Sequence, residues 1–237
     1  MKKVENYYQK GSVVSKYDKK RFTSIGGEFI DSNEKEIVKR LINSENNIER
    51  VLDLGAGTGR FSFLLAKEGY DVTSFDQSDE MLKIIDEKSK EENLNISLVR
   101  GDAFKLPFED DTFDACVSIR VLWHFENPED LIAEMRRVTK KDGVMIFDLL
   151  NKKSLRYPIT PIANRFVYTD LIKIDDMRAM LESKNVKIID EEKYFVLPYF
   201  FYRYSPNFLT KYLIKTENKL QKTKKDYSSV VYFKVRK

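Results

Sequence analysis

The chain has 237 residues, of which 42% are hydrophobic and 34% are charged. This composition excludes disordered, collagen-like and disulfide-rich proteins, and it fits one globular domain. A single cysteine, Cys116, cannot form an internal disulfide, and the sequence has no apolar run of about 18 residues and no signal-peptide pattern. We therefore expect a cytoplasmic protein without a membrane span.

Charge is distributed unevenly along the chain. The formal net charge is +4, yet residues 1–21 carry seven Lys/Arg against two acidic residues, and residues 211–237 carry nine against two. The stretch between them is net acidic. We interpret the basic ends as solvated surface, and the alternative is that they bind an anionic partner such as a nucleic acid.

The middle of the chain alternates short β-rich runs with amphipathic stretches. This alternation predicts a doubly wound α/β domain, in which a mostly parallel sheet carries helices on both faces. The predicted strands are Arg50–Leu54, Asp71–Phe75, Asn95–Arg100, Phe113–Ile119 and Val144–Leu150. The predicted helices between them are Arg60–Glu68, Asp79–Asn93 and Pro128–Thr139.

The C-terminal third is predicted to complete the sheet. Asn151–Val167 contains two prolines and is predicted to be a connection that crosses the strand ends and covers a site. A helix is expected over Asp170–Lys184, and two further strands over Val186–Phe195 and Ser228–Lys237. The aromatic insert, Leu197–Tyr227, separates these two strands and is too long for a hairpin loop.

The most informative motif is a glycine-rich run after the first predicted strand. Gly55, Gly57 and Gly59 stand at alternate positions ahead of a predicted helix. Because glycine has no Cβ atom, a ligand can lie against this backbone, where amides and the helix N-terminus offer hydrogen bonds. Asp76 ends the next strand, where a carboxylate can accept hydrogen bonds from both hydroxyls of a ribose.

The spacing of the glycines distinguishes two classes of nucleotide site. A dinucleotide fingerprint has glycine at its first, third and sixth positions, whereas here Gly59 is fifth and Arg60 is sixth. Asp53 precedes the glycines, and its carboxylate would repel a pyrophosphate and attract an amino group. An oxidoreductase that uses a dinucleotide is therefore the weaker interpretation.

The glycine run with its two acidic residues resembles motif I of the class I S-adenosylmethionine-dependent methyltransferases. A second block, Gly101–Ser118, resembles a further block of the family in the same register, and Val121–Phe125 and Glu134–Val138 continue the pattern of its small-molecule and quinone-type subgroup. The resemblance implies a Rossmann-like, seven-stranded sheet whose last strand is antiparallel. It implies one domain made of an N-terminal helical cap (1–47), a cofactor-binding core (48–150) and a substrate-side part with the insert and the last two strands (151–237).

The resemblance also implies S-adenosylmethionine as cofactor and S-adenosylhomocysteine as product. Asp76 would hold the ribose, while Ser118 and Arg120 would face the methionine end and the substrate. Taken alone, Met81 fits a core position and Asp102 fits a turn cap equally well. The complete set of predicted cofactor-binding residues is Asp53, Gly55, Ala56, Gly57, Thr58, Gly59, Asp76, Gln77, Met81, Asp102, Ala103, Phe104, Ser118 and Arg120.

The aromatic insert is the candidate substrate wall. Aromatic residues crowd positions 194–204 beside one arginine, and such a set can enclose a flat or hydrophobic acceptor. Packing in the core is an equally open role for these side chains. The resemblance also suggests an N-terminal lid with the aromatic residues Tyr7, Tyr8, Tyr17 and Phe22, and an amphipathic docking helix is the alternative. The predicted substrate-binding residues are Tyr17, Arg21, Tyr199, Tyr202 and Arg203.

The sequence leaves few groups for catalysis. His124 is the only histidine and Cys116 the only cysteine, so multi-histidine and thiolate metal sites are excluded and no metal is expected. His124 is the candidate general base, and the alternative is that it packs or caps the turn before Asn127. Transfer of a methyl group needs an aligned nucleophile and exclusion of water, so a base is optional.

These observations predict an enzyme that methylates a small-molecule acceptor at oxygen, nitrogen or carbon, as a monomer or homodimer. The alternative enzyme is a tRNA or RNA methyltransferase, which the basic ends favour and the lack of an Asn-Pro-Pro-Tyr-like run after the fourth strand disfavours. The non-catalytic alternative is a subunit that binds S-adenosylmethionine and holds a protein partner with its aromatic insert. The intact acidic and glycine positions disfavour it.

Overall fold

A seven-stranded sheet lies at the centre of the computed structural model, which describes residues 21–154 and 169–237. Its strand order is β3-β2-β1-β4-β5-β7-β6, and β7 runs antiparallel to both of its neighbours. The structure thus confirms the predicted doubly wound α/β sheet with an antiparallel last strand. The strands are β1 (Arg50–Leu54), β2 (Asp71–Asp76), β3 (Ile96–Arg100), β4 (Phe113–Ser118), β5 (Thr139–Leu150), β6 (Lys187–Tyr194) and β7 (Val230–Arg236).

Helices cover both faces of the sheet. None of the helices in the described ranges combines the length and the apolar character that crossing a membrane requires. These helices are α1 (Ile25–Asn43), α2 (Arg60–Lys67), α3 (Asp79–Glu91), α4 (Pro128–Val138), α5 (Ile174–Ser183), α6 (Tyr199–Tyr204) and α7 (Asn207–Thr223). Short 3-10 helices occupy Leu122–His124 and Lys225–Tyr227.

The direction of winding changes between β1 and β4, which are neighbours in the sheet. The chain runs outward from β1 to β3 and then returns to β4. This leaves a crevice between the crossovers at the carboxyl ends of the central strands, which is where ligands bind in doubly wound sheets. The fold therefore places the glycine run, which follows β1, at this crevice.

Residues of each strand alternate between two buried cores. Val51 and Ile146 face a core shared with α1, α2 and α3, whereas Leu52 and Phe147 face a core shared with α4 and α5. Since the central strands are buried on both faces, their sequences are mostly apolar instead of alternating. This burial explains why β5 lacks a polar face over Val144–Leu150.

Two predicted boundaries are wrong. The helix expected over Asp170–Lys184 begins only at Ile174, because Ile172 pairs with Asn151 in a parallel bridge and keeps the chain extended. The strand expected from Val144 begins earlier, at Thr139, where the register against β4 shifts. Both differences arise from pairing with a distant strand, which local periodicity does not report.

The aromatic insert folds into α6 and α7, and one buried acid fastens it to the sheet. The Glu217 carboxylate accepts the N–H groups of Val196 at 2.7 Å and Leu197 at 3.0 Å, and it also accepts the Tyr202 hydroxyl. Glu217 and Tyr202 are both fully buried. The carboxylate therefore ties α7 and α6 to the segment that leaves β6.

Some sequence-based assignments fall outside the described residues. They include the proposed lid residue Tyr17 and most of the connection Asn151–Val167. The side chain of Arg203 is also outside the described part of the structure.

We predict that Glu217→Ala lowers the free energy of unfolding by about 2–4 kcal/mol, because two buried N–H groups lose their acceptor. Urea unfolding followed by circular dichroism measures this loss. Glu182→Ala is the matched control, since Glu182 is exposed on α5 and should change stability by less than about 0.5 kcal/mol. Equal stability of the two variants would contradict the anchoring role of Glu217.

Candidate functional site

A cavity lies at the switch point, bordered by the segments that follow β1, β2, β3 and β4. Many of the predicted site residues line it, namely Gly55, Ala56, Gly57, Thr58, Asp76, Gln77, Met81, Asp102, Ala103, Phe104, Arg120 and His124. The other described residues that line it are Arg60, Phe61, Phe75, Gly101, Ile119, Val121 and Phe125. The cavity thus combines an acidic and glycine-rich side with an aromatic and basic side.

The glycine loop, residues 55–59, presents bare backbone to this cavity. It is fastened to β2, because the N–H groups of Gly55 and Ala56 donate to the Phe75 carbonyl at 2.8 and 3.0 Å. Gly57 has a φ of +55°, and a Cβ atom there would have no atom within 4 Å. A side chain at Gly57 would therefore be strained and would project into the space that a ligand needs.

The Asp76 carboxylate links the glycine loop to the start of α3. Its Oδ2 accepts the Gly57 N–H and its Oδ1 accepts the Ser78 N–H, both at 2.9 Å. Burial raises the pKa of Asp76 above its ordinary value, although the two amides act to lower it. Each carboxylate oxygen keeps a further lone pair for a ligand. Asp76 therefore orders the loop and still offers acceptors to a pair of hydroxyls.

The segment after β3 lines the cavity beside this carboxylate. Asp102 Oδ1 accepts the Phe104 N–H at 2.9 Å, which turns the chain. The ring of Phe104 meets the ring of Phe125 edge-on, with 4.9 Å between their centroids. Met81, on α3, also borders the cavity. Rings and a thioether in this arrangement suit a planar aromatic group.

A buried ionic network lies beside the cavity. Glu34, which is 0% exposed, accepts the Arg120 Nε–H at 2.9 Å, the Arg60 Nη2–H at 2.8 Å and the Tyr199 hydroxyl at 3.1 Å. Burial acts to raise the pKa of Glu34, but the two guanidinium groups outweigh it and hold that pKa below its ordinary value. The network thus joins α1, α2 and the aromatic insert to the cavity wall.

Asp148, at the end of β5, has an unusual environment. Its Oδ1 accepts the Arg120 backbone N–H at 2.7 Å, and Arg120 has a positive φ of +66°. Within the described ranges, Asp148 Oδ2 and the hydroxyl of its cross-strand neighbour Tyr232 are buried and have no hydrogen-bond partner. Burial raises the pKa of Asp148 to about 8. The side chain is therefore largely neutral at pH 7.

His124 lines the cavity at the end of a 3-10 helix. The Trp123 indole N–H donates to His124 Nε2 at 3.2 Å. In this network the neutral imidazole carries its proton on Nδ1, an assignment that follows from the hydrogen bond. Its basic nitrogen is therefore engaged with a neighbouring ring.

Several predicted site residues do not line the cavity. Asp53 is buried and accepts the Ser62 hydroxyl at 2.5 Å, and burial raises its pKa to about 6. The Ser118 hydroxyl donates to the Leu54 carbonyl at 3.0 Å, and Gly59 caps α2 with a φ of +83°. These three residues support the backbone beneath the cavity.

The predicted substrate-binding residues are placed differently from one another. Tyr199 does not line the cavity, but its hydroxyl donates to Glu34 and its ring lies 4.7 Å from the Arg120 guanidinium. Tyr202 is buried against Glu217. Arg21 is half-buried ahead of α1 and is not among the described residues that line the cavity. The aromatic insert therefore contributes mainly to packing and to the ionic network, which was the alternative role left open by its sequence.

Sequence reasoning missed Glu34, Asp148 and the ion pair of Arg60. Glu34 does carry a signal, because it falls on the helical stripe of Ile30, Ile37 and Leu41, all of them buried. A charged residue on a buried stripe indicates a buried partner. Asp148 carries no such signal, since an acidic residue at a strand end is common in this type of fold.

Known proteins match this chain most clearly over its core. Residues 52–147 match the family model described as a methyltransferase domain. The chain is 41% identical over 98 residues to the demethylmenaquinone methyltransferase of Renibacterium salmoninarum, covering 41% of this chain and 40% of the relative. It is 40% identical over 111 residues to the malonyl-[acyl-carrier protein] O-methyltransferase of Erwinia pyrifoliae, covering 46% and 40%.

The likeness in fold extends further than the likeness in sequence. The solved structure of the magnesium protoporphyrin IX methyltransferase from Synechocystis PCC 6803 superposes with a TM-score of 0.70, covering 99% of this chain and 98% of that one at 16% identity. The matched region spans about half the length of the curated relatives. Sequence kinship is thus concentrated in the part that forms the cavity.

We predict that Asp148 makes stability depend on pH. Its ordinary pKa is 3.8 and burial raises it to about 8, so the folded state binds the proton more tightly. The free energy of unfolding therefore falls as the pH rises from about 4 to about 8. Asp148→Asn removes this titration. The free energy of unfolding of the variant minus that of the wild type should therefore increase with pH across that window, by on the order of 1 kcal/mol per pH unit.

Asp53→Asn is the matched control, and urea unfolding at each pH is the measurement. The pKa of Asp53 is raised only to about 6. The stability difference between Asp53→Asn and the wild type should therefore stop increasing near that pH. If the Asp148→Asn curve ran parallel to the wild type between pH 4 and 8, the raised pKa would be wrong.

Proposed function

We propose that the chain is a class I S-adenosylmethionine-dependent methyltransferase and that it transfers a methyl group to a small-molecule acceptor. The observation that carries the proposal is the Asp76 carboxylate, which accepts the N–H group of Gly57 in the glycine loop and lines the cavity at the switch point together with Phe104 and Phe125. The acceptor atom is oxygen, nitrogen or carbon. S-adenosylhomocysteine is the expected product.

The residues of the cavity fit S-adenosylmethionine. The bare backbone at Gly57 leaves room for an extended ligand, and Asp76 has acceptor capacity for the ribose hydroxyls. Phe104 and Met81 suit the adenine ring. Asp53 and Ser118 would act from below, by supporting the glycine loop and the end of β4, instead of contacting the ligand.

The chain contributes alignment and exclusion of water. When bound, S-adenosylmethionine supplies a methyl group on a sulfonium, and the displacement needs no covalent intermediate with the protein. The N–H groups of Gly55 and Ala56 donate to the Phe75 carbonyl, and that of Gly57 donates to the Asp76 carboxylate. These three hydrogen bonds hold the glycine loop and would limit the movement of the bound cofactor. The apolar side chains of Phe61, Ile119 and Val121 keep water from the opposite wall.

Arg120 and His124 would face the acceptor. The Arg120 guanidinium lies 4.7 Å from the centre of the Tyr199 ring and is held by Glu34, so its position is fixed before any acceptor binds. His124 is the candidate general base of this proposal. In that role Nε2 gives up the Trp123 hydrogen bond when it takes the proton of the acceptor.

Relatives named for different acceptors support a small molecule without selecting one. One curated relative is a demethylmenaquinone methyltransferase and another is a malonyl-[acyl-carrier protein] O-methyltransferase. The same cofactor half therefore serves several acceptors among the relatives. This agrees with an acceptor side to which segments outside residues 52–147, such as α1 and the aromatic insert, contribute beside Arg120 and His124.

Formation of S-adenosylhomocysteine tests the proposal. Purified protein with S-adenosylmethionine is incubated with hydroquinones, phenols, amines, carboxylic acids or total tRNA, and the product is quantified. We expect release above the acceptor-free rate with at least one class of small molecule and none with tRNA. Release with tRNA alone would replace the proposal with RNA methylation, and binding of the cofactor without any release would favour a non-catalytic subunit.

We predict that Asp76→Asn weakens the affinity for S-adenosylhomocysteine by about 1–3 kcal/mol, or roughly 5- to 150-fold. The amide nitrogen of asparagine cannot accept a hydrogen bond, so either the loop or the ribose loses one acceptor. Calorimetry measures the affinity, and Asp71→Asn at the exposed start of the same strand is the control. Unchanged affinity in a folded Asp76→Asn protein would remove Asp76 from the site.

A further inference from the structure

The exposed large hydrophobic side chains of the described residues are all found in one segment. They lie between residues 200 and 227, in α6, α7 and the following 3-10 helix. The most exposed are Phe208 at 78%, Tyr204 at 69% and Tyr212 at 67%. Such a concentration of apolar surface marks a place that another surface covers.

Helix α7 presents a regular stripe to the outside. Its inner side is fixed by Thr210 and Glu217, which are buried. Phe208, Tyr212, Lys215 and Lys219 follow one another at intervals of four, three and four residues, so they share one face. All four are exposed. Aromatic rings and lysines thus lie together on the face of α7 that points away from the rest of the protein.

The electrostatic character of this segment is basic. Residues 197–227 contain seven Lys/Arg and two acidic residues. Both acidic groups are already engaged, because Glu217 accepts backbone N–H groups in the core and Asp226 pairs with Lys193 at 2.7 Å. Among the described residues, neither Lys211, Lys215 nor Lys219 takes part in an ion pair. The positive charge of these lysines is therefore not neutralised by an ion pair within residues 21–154 and 169–237.

We propose that this basic aromatic stripe, defined as Tyr204, Phe208, Lys211, Tyr212, Lys215 and Lys219, docks on the surface of a lipid bilayer that contains anionic phospholipids. Aromatic rings bury their apolar bodies at the level of the headgroups, and lysines beside them pair with lipid phosphates. A helix of this kind lies in the plane of the interface and does not cross it.

A second copy of this chain fits the stripe less well. A two-fold symmetric contact would bring the lysines of one copy onto the lysines of the other, and like charges repel. A bilayer with anionic headgroups supplies the opposite charge along the whole stripe. The stripe is also connected to the cavity wall, because α6 begins at Tyr199, whose hydroxyl donates to Glu34. The inference is independent of the catalytic proposal.

Co-sedimentation with vesicles tests the inference on the full chain. The protein is mixed with vesicles of phosphatidylcholine alone or of equal parts phosphatidylcholine and phosphatidylglycerol. We expect binding to the mixed vesicles only, and less binding as salt is added, because salt screens the charges. Lys211→Ala/Lys215→Ala/Lys219→Ala should lower the partition coefficient by about 100-fold, at roughly fivefold for each lysine.

Two further variants separate the stripe from general charge and from folding. Phe208→Ser/Tyr212→Ser should lower the partition coefficient by about tenfold or more, because the variant lacks two rings that would insert into the bilayer interface. Lys83→Ala/Lys90→Ala removes two lysines of α3 whose side chains are 75% and 73% exposed, and it should leave binding unchanged. Circular dichroism and unchanged affinity for S-adenosylhomocysteine show that the variants are folded.

The opposite results would overturn the inference. One is that the folded wild-type protein does not bind the mixed vesicles. The other is that the stripe variants and the α3 variant lose vesicle binding to the same extent. A concentration-dependent dimer in gel filtration that Phe208→Ser/Tyr212→Ser abolishes would assign the stripe to a second copy of the chain. Binding to an acidic protein in place of vesicles, lost in the same variants, would assign it to a protein partner.

Discussion

The site depends on one carboxylate at the end of one strand. Asp76 accepts N–H groups from Gly57 and Ser78, and it thereby holds together the loop after β1 and the start of α3. Backbone donors at a switch point would otherwise need water or a ligand. Burial raises the pKa of Asp76, and the hydrogen bonds from these amides act to lower it.

A second constraint lies on the opposite side of the cavity. There Glu34 draws two guanidinium groups and a tyrosine hydroxyl into a buried network that spans α1, α2 and the aromatic insert. Removing one partner of such a network leaves an uncompensated charge, which costs more than the pair contributes. The arrangement fixes Arg120 before ligand binding, so little ordering remains for the acceptor to induce.

The glycine-loop side of the cavity was predictable from the sequence, and the ionic network beside it was not. Gly57 and Asp76 belong to one contiguous unit of β1, α2 and β2, whose residue spacing indicates the local geometry. The positions of Glu34, Asp148 and Tyr199 depend on contacts between segments distant in sequence, for example the 165 positions between Glu34 and Tyr199. For the same reason the sequence did not show that the aromatic insert, predicted as a pocket wall, mostly packs against the rest of the protein. Its outer face is basic and aromatic.

The most direct test is a calorimetric titration of ligand-free protein with S-adenosylmethionine, S-adenosylhomocysteine and NAD. The Asp76-centred loop predicts micromolar binding of both sulfur ligands with one site per chain and no heat from NAD. Binding of NAD, or silence of both sulfur ligands in protein shown to be folded, would contradict the account.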